Sequence, residues 1–301
     1  MKILLSGGTG FAGKTITNLL VQEQHEVYIL TRNPDLYDST KQVHYVEWLT
    51  ENAQPEKELE EIDWIINLAG ESINNGRWND DQKKRIYDSR MEATGEILRI
   101  IRALDITPSV LINASAVGYY PPSETKIFTE TSTEKGHNFL AETVIDWEKK
   151  ARLAEDEGVR VACARFGIIL GKKDGALPSM AMPYKLMVGG TVGSGKQWLS
   201  WVHYQDVARA ILFVLEHHKI EGPFNVTAPN PTRMKEFGET LGQMLNRPHW
   251  IPAPSFALKL ALGDKSSLVL EGQKVLPKVL EEHGFTFLYP TLHEALEEIY
   301  S

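Results

Sequence analysis

The sequence predicts a doubly wound α/β fold, a parallel sheet wrapped by crossover helices and followed by a smaller α+β lobe. Three observations lead there. A glycine-spaced loop begins at residue 7, directly after the first apolar run. Six strand-like runs alternate with amphipathic segments of helical length up to residue 170. After Gly171 that rhythm gives way to chain punctuated by Gly175, Pro178, Pro183 and "VGGTVGSGK".

The first strand is "KILLS", and "SGGTGFAGKT" runs from it into an apolar helix over 14–22. Gly7, Gly10 and Gly13 stand three apart, with Thr9, Phe11 and Ala12 between them. Glycines at this place permit a tight turn and close backbone approach to a pyrophosphate, which the helix N-terminus stabilises through free N–H groups and its dipole. A strand before the loop and a helix after it make this a Rossmann-type nucleotide site. The second strand, "EVYILT", ends in Thr31-Arg32, where an NAD site usually carries an acidic residue for the ribose hydroxyls. A guanidinium there fits the 2′-phosphate of NADP(H) and can stack on adenine.

Further strands are expected at "VHYVEW", "WIINLA", "SVLINAS" and "VRVACARFGIIL". Helices are expected over 80–104, where Ile97, Ile100, Ile101 and Leu104 share one face, and over 138–157. A later helix over 207–217 belongs with the first domain. The expected division is therefore 1–171 plus about 203–220 as the NADP-binding domain, and 172–202 plus 221–301 as a small substrate-binding lobe. Within that lobe Pro252, Pro254, Pro277 and Pro290 mark element boundaries.

Composition narrows the function. The 301 residues can bury a full core, and no apolar run approaches the ~20 residues that span a bilayer. Forty acidic against 32 basic residues disfavour nucleic acid or an anionic membrane as partner. A single cysteine, Cys163, sits in a strand-like run, which fits a reducing cytoplasm. No metal is expected; a small-molecule substrate is. The sequence points to no particular oligomeric state.

"SGGTGFAG", "INLAGESI", "NASAVGYY", "RFGIILG" and "SWVHYQDVARA" occur in the order of a known family. On these motifs the chain resembles an atypical extended short-chain dehydrogenase/reductase, of the epimerase-family subgroup related to nucleotide-sugar epimerases. The tail "EGQKVLPKVLEEHGFTFLYPTLHEAL" is similar to that subgroup's small C-terminal domain. The resemblance implies that Leu68, Ala69, Gly70 and Glu71 line the cofactor, with Arg77 and Arg90 nearby. It also implies that Phe166, Gly167 and Ile168 pass beside the nicotinamide.

In the wider family a serine at the end of the fifth strand binds the substrate carbonyl or hydroxyl, and a Y-x-x-x-K motif follows on the next helix. The tyrosine moves the proton and the lysine lowers its pKa, a relay worth typically ~10²–10⁴-fold. Ser115 in "NASAVG" matches the serine and is expected to polarise a carbonyl. Phe139 and Thr143 in "HNFLAETVIDWEKK" fall at the tyrosine and lysine positions, so both groups are missing. Tyr119 and Tyr120 are the candidate substitutes. Trp198, Trp201 and His203 in "GKQWLSWVHYQD" are candidates for a substrate wall, with interlobe packing the competing reading. Two functions remain open: an NADP(H)-dependent oxidoreductase or epimerase-like isomerase acting on a carbonyl or nucleotide-sugar-type molecule, and a non-catalytic NADP(H) redox sensor.

Overall fold

The computed structural model describes residues 1–301. Its first domain is built on seven strands: β1 (Lys2–Ser6), β2 (Glu26–Thr31), β3 (Val43–Glu47), β4 (Trp64–Asn67), β5 (Val110–Ala116), β6 (Arg160–Phe166) and β7 (Gly222–Val226). They form one parallel sheet in the order β7-β6-β5-β4-β1-β2-β3. These segments are rich in Val, Ile and Leu because helices cover both faces of the sheet. One face packs Ile16 and Leu20 of α1 (Phe11–Gln22) with Phe285 and Phe287 from the chain's end. The other packs Ala93, Ile97 and Ile100 of α2 (Asp80–Ala103), together with Ala151 of α3 (Phe139–Ala151).

Local chemistry starts these helices. Asn79 caps α2 by accepting from the Gln82 amide, and Asp80 and Asp81 complement the dipole of its first turn. Asn138 caps α3 through the Ala141 amide. In contrast, α1 opens at Gly10 with no capping side chain and no acid in its first turn.

After β3 the chain returns to place β4 on the other side of β1, so the strand order reverses between β1 and β4. In open α/β sheets ligands bind at such a switch point, outside the C-terminal strand ends.

The second lobe has its own core, where α4 (Leu177–Lys185), α6 (Met234–Met244) and the C-terminal helix Leu292–Tyr300 enclose Tyr184, Trp201, Phe237, Leu241 and Leu296. Between α4 and α6, α5 (Tyr204–Glu216) packs Val207, Ile211 and Val214 onto the same face of the sheet as α1. The boundary differs from the sequence expectation. Gly222–Val226 pairs with β6 as the last strand of the sheet, and Leu280, Phe285 and Phe287 join the first domain's core. The run expected as one strand over 159–170 also breaks at Gly167. Beyond it Ile168–Leu170 pairs with Trp201–His203 instead. A Cβ on Gly167 would lie 2.5 Å from the Ser200 carbonyl oxygen, so only glycine permits this crossing between lobes. The expected 138–157 helix is α-helical to Ala151 and then tightens into the 3₁₀ turn Arg152–Glu157. No helix is long and apolar enough to cross a membrane.

Candidate functional site

A cavity of about 450 Å³ lies between the strand ends and the second lobe, its wall formed by Leu68, Ser115, Phe166, Ile168, Trp198 and Gln273, among others.

At its edge the three loop glycines have different duties. Gly7 has φ +73°, and a Cβ there would meet the Leu68 carbonyl at 2.9 Å. One on Gly13 would lie 2.2 Å from the Gly7 oxygen. Both are required by the protein's own packing. Gly10 is exposed, and a Cβ on it would meet only the Gly7 oxygen, at 3.3 Å. Its freedom faces outward, over the uncapped first turn of α1, where a pyrophosphate fits. Ala12 lines the cavity, whereas the Phe11 ring packs against Gly171 and Gly175. Thr9 is half-buried in the turn. At the end of β2, Thr31 accepts from the Asn33 amide through its hydroxyl and Arg32 is exposed.

After β4, Leu68 lines the cavity, the Ala69 amide donates to Asn67, and a Cβ on Gly70 would sit 3.1 Å from Arg90. The Arg90 guanidinium donates to the carbonyls of Glu71 and Ile86 and lies 5.0 Å over the Trp147 ring. Burial pushes its pKa down to about 10, and Glu71 offsets this only in part. A cation held this way, with no carboxylate contact, is suited to an anionic ligand. Arg77 lies just before α2. It donates to the carbonyls of Leu260 and Ala261 and does not line the cavity.

Ser115 does line it, at the end of β5, and its hydroxyl donates to Glu148 Oε1 at 2.5 Å. Arg165, from β6, grips the same carboxylate with Nε at 2.7 Å and Nη2 at 2.8 Å. All three residues are buried. Burial alone would lower the Arg165 pKa, but the Glu148 carboxylate reverses this and raises it. Arg165 also donates to the Tyr120 hydroxyl, which donates in turn to Asn225 on β7. The expected carbonyl-polarising role of Ser115 is therefore corrected: its proton is directed at Glu148. Tyr120 is corrected as well. Its ring borders the cavity, but its hydroxyl is tied into the core and burial raises its pKa. Tyr119 does not line the cavity; its ring stacks on the Arg165 guanidinium at 3.5 Å.

The face α3 turns to the cavity carries Leu140, Thr143, Val144 and Trp147. Phe139 is the helix's first residue, 100° round from Leu140, and packs edge-on against Trp78. Its ring does not line the cavity. The Thr143 hydroxyl donates to the Phe139 carbonyl.

Of the three candidates for the substrate wall, only Trp198 borders the cavity. Its ring lies under Arg233 at 3.7 Å. Trp201 is fully buried in the second lobe's core. His203, also fully buried, caps α5 through Nδ1 and contacts Glu298 through Nε2 at 2.8 Å. Sequence reasoning missed Glu148, though a signal was present. It lies in the buried stripe Val144, Trp147, Ala151, and Arg165 interrupts an apolar strand.

A glycine loop at the switch point of a parallel sheet, with a cavity at the strand ends, defines a dinucleotide-binding α/β protein. The model of the NAD dependent epimerase/dehydratase family matches residues 3–227, and a domain of unknown function (DUF1731) matches 253–299. The chain belongs to that family, as an extended short-chain dehydrogenase/reductase. It is 48% identical to the epimerase family protein YfhF of Bacillus subtilis, over 99% of this chain and 98% of that one. The human epimerase family protein SDR39U1, solved with NADPH, superposes with TM-score 0.88 at 33% identity, over 100% and 99% of the two chains. A nucleoside-diphosphate sugar epimerase from Corynebacterium glutamicum matches with TM-score 0.80 at 28% identity, covering 100% of this chain and 58% of that one.

Proposed function

We propose that this protein is an NADP(H)-dependent oxidoreductase or epimerase-like enzyme acting on a small carbonyl, hydroxyl or nucleotide-sugar-type molecule. The observation that carries the reading is the position of Ser115, at the cavity wall with Phe166, Gly167 and Ile168, beside which the family resemblance would place the nicotinamide. The exposed Arg32 supports NADP(H) over NAD(H), as does the NADPH bound by the human relative. Gly7, Gly10 and Gly13 would seat the pyrophosphate on α1, with Leu68, Ala69 and Gly70 alongside. Arg90 would pair with an anionic group of cofactor or substrate. When bound, the nicotinamide supplies hydride chemistry; the chain's own residues orient the substrate through Ser115 and surround it with apolar walls.

The test is to incubate NADPH-loaded protein with aldehydes, ketones and nucleotide sugars, and NADP⁺-loaded protein with the corresponding alcohols, while following nicotinamide absorbance, and to analyse the sugars for epimers. Turnover that Ser115→Ala abolishes supports the enzyme. A second reading, a non-catalytic NADP(H) redox sensor, is favoured by the α3 face, which offers the cavity neither a phenol nor an ammonium group. Tight NADPH binding with no turnover across the whole set supports the sensor.

A further inference from the structure

Ser115 Oγ lies 2.5 Å from Glu148 Oε1, in a buried network at the cavity wall. Glu148 is held by two guanidinium hydrogen bonds from Arg165, one to each oxygen, as a carboxylate is. An ionised carboxylate only accepts. The serine must therefore donate, and its single proton is committed away from the cavity. What remains for the cavity is the acceptor side of Oγ.

Neighbouring groups do not release that proton. The Arg165 guanidinium has no acceptor to offer Ser115, and the Tyr120 hydroxyl is bonded to Asn225 and Arg165 rather than to Ser115. The Leu140, Val144 and Trp147 side chains carry no acceptor atoms, and Ser115 makes no hydrogen bond to the Thr143 hydroxyl, whose own proton goes to the Phe139 carbonyl. A carbonyl oxygen brought to Ser115 would face lone pairs; a hydroxyl would find an acceptor.

We propose that Glu148 and Arg165 fix the polarity of Ser115 so that the cavity selects substrates carrying a hydroxyl at the reacting position over those carrying a carbonyl. Ser115 is the residue that determines this specificity. Glu148 and Arg165 are positioning residues that act through it. The inference rests on reading the cavity as the substrate site of an NADP(H) oxidoreductase, and it narrows the substrate class to an alcohol.

The experiment uses protein loaded with NADP⁺ and two probes of similar size that it cannot oxidise, 2-phenylpropan-2-ol and acetophenone. Each is titrated by ligand-observed NMR. The alcohol is expected to bind roughly three- to tenfold more tightly, the range of one hydrogen bond. Ser115→Ala, which leaves the Glu148–Arg165 pair intact, is expected to erase the difference. Glu148→Gln, neutral and close in shape, no longer compels the serine to donate and is expected to shrink it. Retained NADPH affinity shows that each variant is folded, and if Glu148→Gln fails to fold, the Ser115→Ala comparison decides. Acetophenone binding as well as the alcohol, a preference that survives Ser115→Ala, or no saturable binding of either probe overturns the proposal. A protein that binds no NADPH fails the earlier reading instead, and the order of the two probes still decides the polarity of Ser115.

Discussion

The loop glycines separate folding from binding one residue at a time. Gly13 lies against the Gly7 carbonyl, so Gly13→Val forces backbone apart and is expected to lower thermal stability sharply. Gly10→Val meets only the Gly7 oxygen, at 3.3 Å, and is expected to lower the melting temperature far less than Gly13→Val while abolishing NADPH binding. Thermal melts beside calorimetric titrations distinguish the two. A Gly10→Val protein with normal NADPH affinity would reduce the loop to a turn. The same scale explains what the sequence concealed. Phe139 and Leu140 are adjacent, yet only Leu140 borders the cavity, because one residue of helix is a rotation of 100°. Spacing counted from Ser115 fixes a place on α3 to about a turn, not to a face.

Between elements, the pair Glu148–Arg165 pins α3 to β6 in an apolar setting. Removing one partner leaves a buried charge alone, so Arg165→Met is expected to cost about 3–5 kcal/mol in urea unfolding. The double variant Glu148→Leu/Arg165→Met is expected to recover much of that loss. His203, between the strand Trp201–His203 and the helix Leu292–Tyr300, gives a pH dependence. Burial holds its pKa below the ordinary 6.5, although Glu298 pulls the other way. The fold therefore refuses a proton that the unfolded chain accepts. This contribution is complete above about pH 6.5 and is lost as pH falls from there through the folded-state value. Unfolding of wild type and His203→Gln on either side of that pH should show the steeper acid loss in wild type. The strands were legible because Val- and Ile-rich runs end at glycine and polar turns. The Glu148–Arg165 pairing was not, since nothing local matches a helical carboxylate to a strand guanidinium.

At the scale of the molecule, the second lobe reaches back across the cavity to the first turn of α2 and the loop before it. Lys83 meets Asp264 at 2.5 Å, the Lys265 ammonium donates to the Asn74 carbonyl, and Arg77 donates to the carbonyls that end α7 (Ser255–Leu262). Ser267, Leu268 and Gln273, just beyond, line the cavity. Exposed contacts of this kind carry about 0–1 kcal/mol of stability each. Arg77→Ala/Lys83→Ala is thus expected to leave global stability nearly unchanged but to speed NADPH release a few-fold in stopped-flow fluorescence. An unchanged release rate would show that this strap does not close the site. The two-lobe plan was readable from the change of rhythm after Gly171. The membership of Gly222–Val226 in the large sheet was not, because pairing with β6 is a long-range choice that a five-residue run does not announce.

The central claim, that this family member uses NADP(H), turns on Arg32 at the end of β2. A charge-assisted contact to the 2′-phosphate is worth about 1.5–3 kcal/mol, or roughly tenfold to a hundredfold in affinity. The most direct measurement is calorimetric titration of NADPH and NADH into the unmodified protein and into Arg32→Ala. The account predicts that the unmodified protein prefers NADPH by that factor and that the variant loses most of the preference through weaker NADPH binding alone. Equal affinities for the two cofactors in the unmodified protein would contradict it.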